Sequence, residues 1–252
     1  MSDFVRHNAV TTDFDTSDSW VILSPIEQSI KHKIEAVGVP LKDWDISIYR
    51  GVLTGYNEAF IISTEKRDEI LSNCQTTEER QRTEELIRPI LRGRDIKRYG
   101  YDWANLWLIA TFPAKNYDIE QYPSVKSYLL SFAEPMLREA GLDWVADGYL
   151  ADYCYQKLAQ TGQHIEIAGQ RVRIGSSDEK ARKKTSNKWF ETQDSISYWD
   201  DFSKPKIVYP NMTKYLPFVY IEEQFYTNQK CFFINTSTPA YLTAFFNSSL
   251  FK

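Results

Sequence analysis

The apolar residues of this chain come in short runs, broken by turns and polar residues before they can grow long. No run reaches the roughly 18 residues that a membrane-spanning helix needs. Such runs allow several short strands and helices around one core, and 252 residues can enclose a sizeable one. Seven Trp, 16 Tyr and 14 Phe exclude a disordered chain. Residues 1–18 are polar, acidic and without period, which reads as a flexible lead-in to one domain over 19–252. The N-terminus lacks the apolar core of a signal peptide. Cys74, Cys154 and Cys231 are far apart with no CxxC pair, so they read as reduced thiols of a cytoplasmic protein.

Local patterns give the elements. Ser24-Pro25-Ile26-Glu27 forms a capping box with proline at the first helical position, and Ile26, Ile30, Ile34 and Val37 follow at helical spacing. Ile46–Tyr49 alternates as a strand, and Ala59–Ser63 reads as its hairpin partner across the turn Gly51–Asn57. Glu65–Leu71 and Glu78–Leu91 read as helices, with Gly93 ending the second. Leu106–Thr111 is a buried-strand run, and Ser124 is expected to cap a helix kinked at Pro135. His164–Ile174 alternates on both sides of Gly169, as a hairpin does. Strands are expected at Lys206–Tyr209, Phe218–Ile221 and Cys231–Ile234. A last helix begins after Thr238-Pro239 and runs to Lys252 without a stop signal, so the chain reads as cut. Short strands interspersed with helices predict a mixed α+β fold without regular βαβ alternation.

Catalytic motifs are missing from the sequence. There is no Walker A, GxGxxG, HExxH or GxSxG pattern, and His7, His32 and His164 are isolated. The adjacent carboxylates Glu78-Glu79 and Asp200-Asp201 read as solvated. We expect no cofactor or metal in this chain and no enzymatic activity from it alone.

The net charge of −4 argues at first against a nucleic-acid partner, but its distribution does not. Residues 171–190 hold Arg171, Arg173, Lys180, Arg182, Lys183, Lys184 and Lys188 against Asp178 and Glu179, a local charge of +5. Cations are interleaved with aromatics at Arg88–Tyr99, at Lys183–Phe190 and at Tyr198-Trp199, Lys204-Pro-Lys206 and Lys214-Tyr215. Lysine and arginine neutralise phosphates and release counterions, and arginine forks read guanine edges. The alternative is that these cations cap helix ends, form surface ion pairs or belong to a solvated loop. Trp103, Trp107 and Trp144 read as core.

The segment Tyr49-Arg-Gly-Val-Leu-Thr-Gly-Tyr-Asn-Glu-Ala-Phe-Ile-Ile62 resembles a motif of the TaqI-like C-terminal specificity domain. So do Leu86–Tyr99 (LIRPILRGRDIKRY), Leu106–Ile109, Lys188-Trp189, Lys204–Pro210 and Tyr241–Leu250. This is the target-recognition domain of adenine-specific DNA methyltransferases and type IIG restriction–modification enzymes. The resemblance covers about residues 20–252. It implies a twisted β layer resembling a double β-helix, flanking helices and a C-terminal α-hairpin, here incomplete. It also implies sequence-specific recognition of double-stranded DNA, presented to methyltransferase or nuclease domains of a parent enzyme. The Asn-Pro-Pro-Tyr/Phe motif and the S-adenosylmethionine loop of that enzyme do not occur here, so S-adenosylmethionine, and magnesium for a nuclease, belong to the parent enzyme. The resemblance points to Lys183, Lys184, Lys188 and Lys214 as phosphate contacts. Base or groove-edge contacts are expected from Arg92, Arg94, Arg98 and the turn Thr54, Tyr56, Asn57, and further DNA contacts from Arg50, Lys97, Arg171, Arg173 and Trp189. For that turn, a purely structural role of Gly55 and Asn57 stands as the alternative. Contacts that distinguish one target from another are expected within 142–200. The competing function is a protein-interaction module docking on a methyltransferase subunit.

Overall fold

The computed structural model describes residues 23–132, 164–167, 170–173 and 186–251. The expected lead-in 1–18, the Pro135 kink, Trp144, Cys154, Lys183 and Lys184 lie outside the described residues. The chain divides into two compact units, Met1–Ile46 and Ser47–Lys252.

In the first unit, helix α1 (Pro25–Val37) starts as its sequence dictates. Ser24 Oγ accepts from the Glu27 amide while the Glu27 carboxylate accepts from the Ser24 amide. Those bonds hold the Glu27 carboxyl below the usual carboxylate range. Its apolar stripe Ile26, Ile30, Ile34 and Val37 is exposed.

The second unit is mixed α+β, built on two four-stranded sheets. One has the order β1 (Ile46–Arg50), β12 (Cys231–Thr236), β9 (Lys206–Pro210), β10 (Val219–Ile221). The other has the order β11 (Tyr226–Thr227), β3 (Ile87–Leu91), β6 (Leu106–Ile109), β2 (Ile61–Ser63). In it, β11 runs parallel to β3 while β6 is antiparallel to β3 and β2. A small hairpin pairs β4 (Ile96–Lys97) with β5 (Gly100–Tyr101), and another pairs β7 (His164–Ile167) with β8 (Gln170–Arg173). The second is the hairpin expected around Gly169.

Four local expectations are corrected, the first being the last helix, which stops at Phe246 with Asn247 as its C-cap instead of running on to Lys252. Ala59-Phe60 lie in a one-turn helix α2 (Asn57–Phe60), so β2 is short and pairs with β6, not β1. The chain does not fold back after β1, because Val52 is drawn into a parallel bridge with Asn228. Helix α4 (Thr77–Leu86) ends before Ile87, and Ile87–Leu91 is strand β3. Pro89 lacks an amide hydrogen and pushes Arg88 toward extended geometry, so the helical reading through Leu91 fails. Helix α5 (Pro123–Leu130) has Tyr122, not Ser124, at its N-cap.

Ser124 instead binds Glu79 across the core. Its hydroxyl and amide donate to Glu79 Oε1 at 2.7 and 3.0 Å, and the Gln75 amide donates to Oε2 at 2.8 Å. Glu79 is therefore buried rather than solvated, and it ties α4 to α5. Burial raises its pKa, but these donors and the nearby Arg82 charge bring the net value below the usual range.

The two sheets meet through residues 226–233. The Asn228 amide donates to Leu91 O, and Gly51 and Val52 donate to Cys231 O and Thr227 O. Phe202 packs there at 4.4 Å from the Tyr226 ring and 4.5 Å from the Phe233 ring. Phe60, Phe112, Phe202 and Phe233 are fully buried, each contributing about 2 kcal/mol of hydrophobic stabilisation. Trp103 and Trp107 pack partly buried against this core, as expected. Cys231 lies inside it as a free thiol, and burial pushes its pKa up to about 12. Helix α3 (Thr64–Ser72) packs beside β2, and α6 (Pro239–Phe246) beside β9 and β10. Among the described residues no helix is long and apolar enough to cross a membrane.

Candidate nucleic-acid interface

The residues singled out in sequence fall into two groups. In the first, the polar atoms are bound within the protein. Thr54 is fully buried, donating to Asn57 Oδ1 at 2.8 Å and accepting from the Tyr56 amide. The Tyr56 ring meets Phe132 edge-on. Gly55 takes φ +79°, and a Cβ on Gly51 would stand 2.2 Å from Asn228 O. Gly51 and Gly55 thus meet backbone demands, while Asn57 is exposed.

Arg50 pairs with Asp194 at 2.8 Å. Arg92 forks onto the buried Asp95, with Nε 3.0 Å from Oδ2 and an Nη 2.8 Å from Oδ1. The Nε–Nη2 edge of its guanidinium is occupied by this bidentate pair. Trp189 is buried, so its ring presents almost no surface to a duplex. Lys188 is half exposed but donates to Asn116 Oδ1 at 2.8 Å and lies 3.9 Å from Glu191. Lys206, part of one basic–aromatic cluster, is fully buried and donates to the carbonyls of Phe202, Lys204 and Glu223. Burial pulls its pKa down to about 8, opposed by the Glu223 charge. Arg98 is exposed, yet its guanidinium donates to the carbonyl of Asn247 at the end of α6, a helix C-terminus that favours a cation.

The second group faces outward. Arg94 and Lys97 lie on the turn between β3 and β5, and both are exposed. Lys230 stands across from them, before β12. Three backbone facts bring these segments together. The Asn211 amide donates to Lys230 O at 2.9 Å, the Lys230 amide donates to Asn228 Oδ1 at 3.2 Å, and Gly93 lies so close that a Cβ there would touch Lys230 O at 3.0 Å. The result is a groove of about 490 Å³, with Arg94 and Lys97 on one wall and Asn211, Met212, Thr213 and Lys230 on the other. No carboxylate lines it. Among the described residues the sole ion pair of its cations is Lys97 with the exposed Asp102, at 3.7 Å. Lys214 follows on the same loop, exposed, with its Nζ 5.2 Å from the Tyr215 ring centre.

Arg171 and Arg173 sit on β8, opposite Glu166 and His164. Lys230 was not singled out in sequence, because a lone lysine in a turn gives no local signal. Its place follows from the pairing of β9 with β12, which sets Lys230 beside Pro210 and Gly93. Among the described residues no group of three His, Cys, Asp or Glu side chains could hold a metal ion. Compared with known proteins, the chain matches no family model and no curated protein.

Proposed function

We propose that this chain is a sequence-specific DNA-recognition domain, of the kind that positions duplex DNA for an N6-adenine methyltransferase domain in methyltransferases and type IIG restriction–modification enzymes. The observation that carries the proposal is the acid-free groove of Arg94, Lys97 and Lys230, with Lys214 on the adjoining loop. Such a groove suits the phosphate backbone, the dominant electrostatic partner of DNA-binding proteins. The TaqI-like motifs add the parent-enzyme context. On this reading S-adenosylmethionine is held by the methyltransferase domain, the protein works in the cytoplasm, and its reading of bases extends into residues 142–200.

A test of specificity is selection from a randomised duplex pool. The proposal expects enrichment of one short sequence, and a pool that stays random after several rounds contradicts it. Supplying S-adenosylmethionine and magnesium should give neither methylation nor cleavage by the purified chain, and turnover that co-purifies with it would overturn the non-catalytic reading.

A second reading has its own observation. The four apolar residues of α1 are all exposed, with Val37 at 86% and Ile26 at 74%, which suits a docking helix for a partner methyltransferase subunit. Ile30→Glu with Ile34→Glu should abolish partner capture on that reading and leave duplex binding intact on the first.

A further inference from the structure

Two exposed aromatic rings stand on the chain segments that supply the groove's walls, just outside its lining. Tyr99 is 59% exposed and Tyr215 67% exposed. Tyr99 is on the two-residue loop of the β4–β5 hairpin, which forms the Arg94–Lys97 wall, and its amide donates to Phe218 O. Tyr215 is on the loop between β9 and β10, which forms the opposite wall. Each ring has a cation from the preceding residue against it, with Arg98 Cζ 5.6 Å and Lys214 Nζ 5.2 Å from the ring centres.

The backbone at Tyr99 makes its side chain informative. Its φ is +64°, a conformation that bulky residues avoid and glycine takes freely. The next residue is glycine, but Gly100 does not share that φ, and a Cβ there would meet nothing within 4 Å. The chain therefore holds a large, exposed ring where the fold favours glycine, and has a glycine where contacts do not require one. Strain kept at an exposed residue is a feature of functional sites.

We infer that this groove accepts a nucleic-acid strand with unstacked bases, its phosphates on Arg94, Lys97 and Lys230 and its bases on the rings of Tyr99 and Tyr215. A positively charged track with aromatic platforms is how single strands are held without base-edge readout. The inference rests on the groove being a nucleic-acid surface and adds the state of the strand that occupies it. Unpaired nucleotides have two sources, a free single strand or a bulge in a duplex.

Fluorescence polarisation with four labelled probes tests it: a poly-dT strand, the same strand with abasic sites, a fully paired duplex, and that duplex with a thymine bulge. The poly-dT strand should bind on the order of tenfold more tightly than the abasic strand, which keeps the phosphates and lacks the bases. Tighter binding of the bulged duplex than of the paired one assigns the bulge as a second source. Equal binding of the two duplexes confines the site to free strands. The double variant Tyr99→Gly, Tyr215→Ala should lower poly-dT affinity to that of the abasic strand while melting at or above the wild-type temperature, since glycine relieves the φ of residue 99. Equal affinity for poly-dT and the abasic strand, or a folded double variant that keeps the preference, overturns the inference. If the paired duplex binds and no preference for unpaired bases exists, this inference falls and the recognition function stands. If poly-dT binds and the duplex does not, the reverse holds.

Discussion

The turn Gly51–Asn57 and the turn Gly93–Tyr99 have similar ingredients, glycines, polar side chains and a nearby arginine, and opposite orientations. In the first, Thr54 is sealed in the core, Asn57 accepts its hydroxyl, and Arg50 is paired with Asp194. In the second, Arg92 and Asp95 are locked to each other, Ile96 is buried and Arg98 is bound to the Asn247 carbonyl, while Arg94, Lys97 and Tyr99 project to solvent. Similar polar ingredients can thus be bound into the fold or left facing solvent. The first turn joins the two sheets; the second supplies a wall of the groove.

Gly51→Ala should have the largest effect, because a Cβ 2.2 Å from Asn228 O cannot be housed without separating β1 from the 227–231 segment. A loss on the order of 3 kcal/mol is expected in a denaturant titration. An unchanged midpoint would break the claim that this turn is a structural joint. Thr54→Val should cost about 1–2 kcal/mol by the same measurement, since the buried Tyr56 amide loses its acceptor and Asn57 its donor. Gly93→Ala should cost roughly 1 kcal/mol or less, the approach to Lys230 O being looser at 3.0 Å.

A pH-dependent effect concerns Glu79, which shares the inward logic of the first turn. Its folded pKa is below the ordinary 4.5, so its contribution to stability is complete above that value and fades as pH falls through the lowered one. Glu79→Gln should remove this component from the acid limb of a stability–pH profile. A limb of identical slope in wild type and variant would show that Glu79 does not contribute.

Elements marked by local chemistry were legible in the sequence. The capping box at Ser24–Glu27 forms as its pattern dictates, and the strands expected at Leu106–Thr111, Lys206–Tyr209 and Cys231–Ile234 are found at Leu106–Ile109, Lys206–Pro210 and Cys231–Thr236. Strand partners were not legible, because β1 and β12 are joined by pairing between residues far apart in sequence, and no local pattern records which strand a run will meet. Proline at position 89 held the information that α4 must stop, but the helical run before it concealed the change to β3. The groove was legible by half for the same reason. Arg94, Lys97 and Lys214 belong to charged clusters, whereas Lys230 gains its role from β9–β12 pairing alone. Charge clustering does not distinguish a cation facing solvent from one such as Arg92, held by Asp95, or Lys206, held by three carbonyls.

The central claim is that Arg94, Lys97 and Lys230 face DNA while Arg50 serves the fold. It is tested most directly by the salt dependence of duplex binding for the triple variant Arg94→Glu, Lys97→Glu, Lys230→Glu beside Arg50→Ala. The triple variant should stay within about 0.5 kcal/mol of wild-type stability, as expected for exposed residues. Its plot of log affinity against log salt should be shallower by about 0.9 for each phosphate that is no longer neutralised, and its binding weaker across all sequences. Arg50→Ala should keep the wild-type slope. A folded triple variant with wild-type affinity and slope would contradict the account.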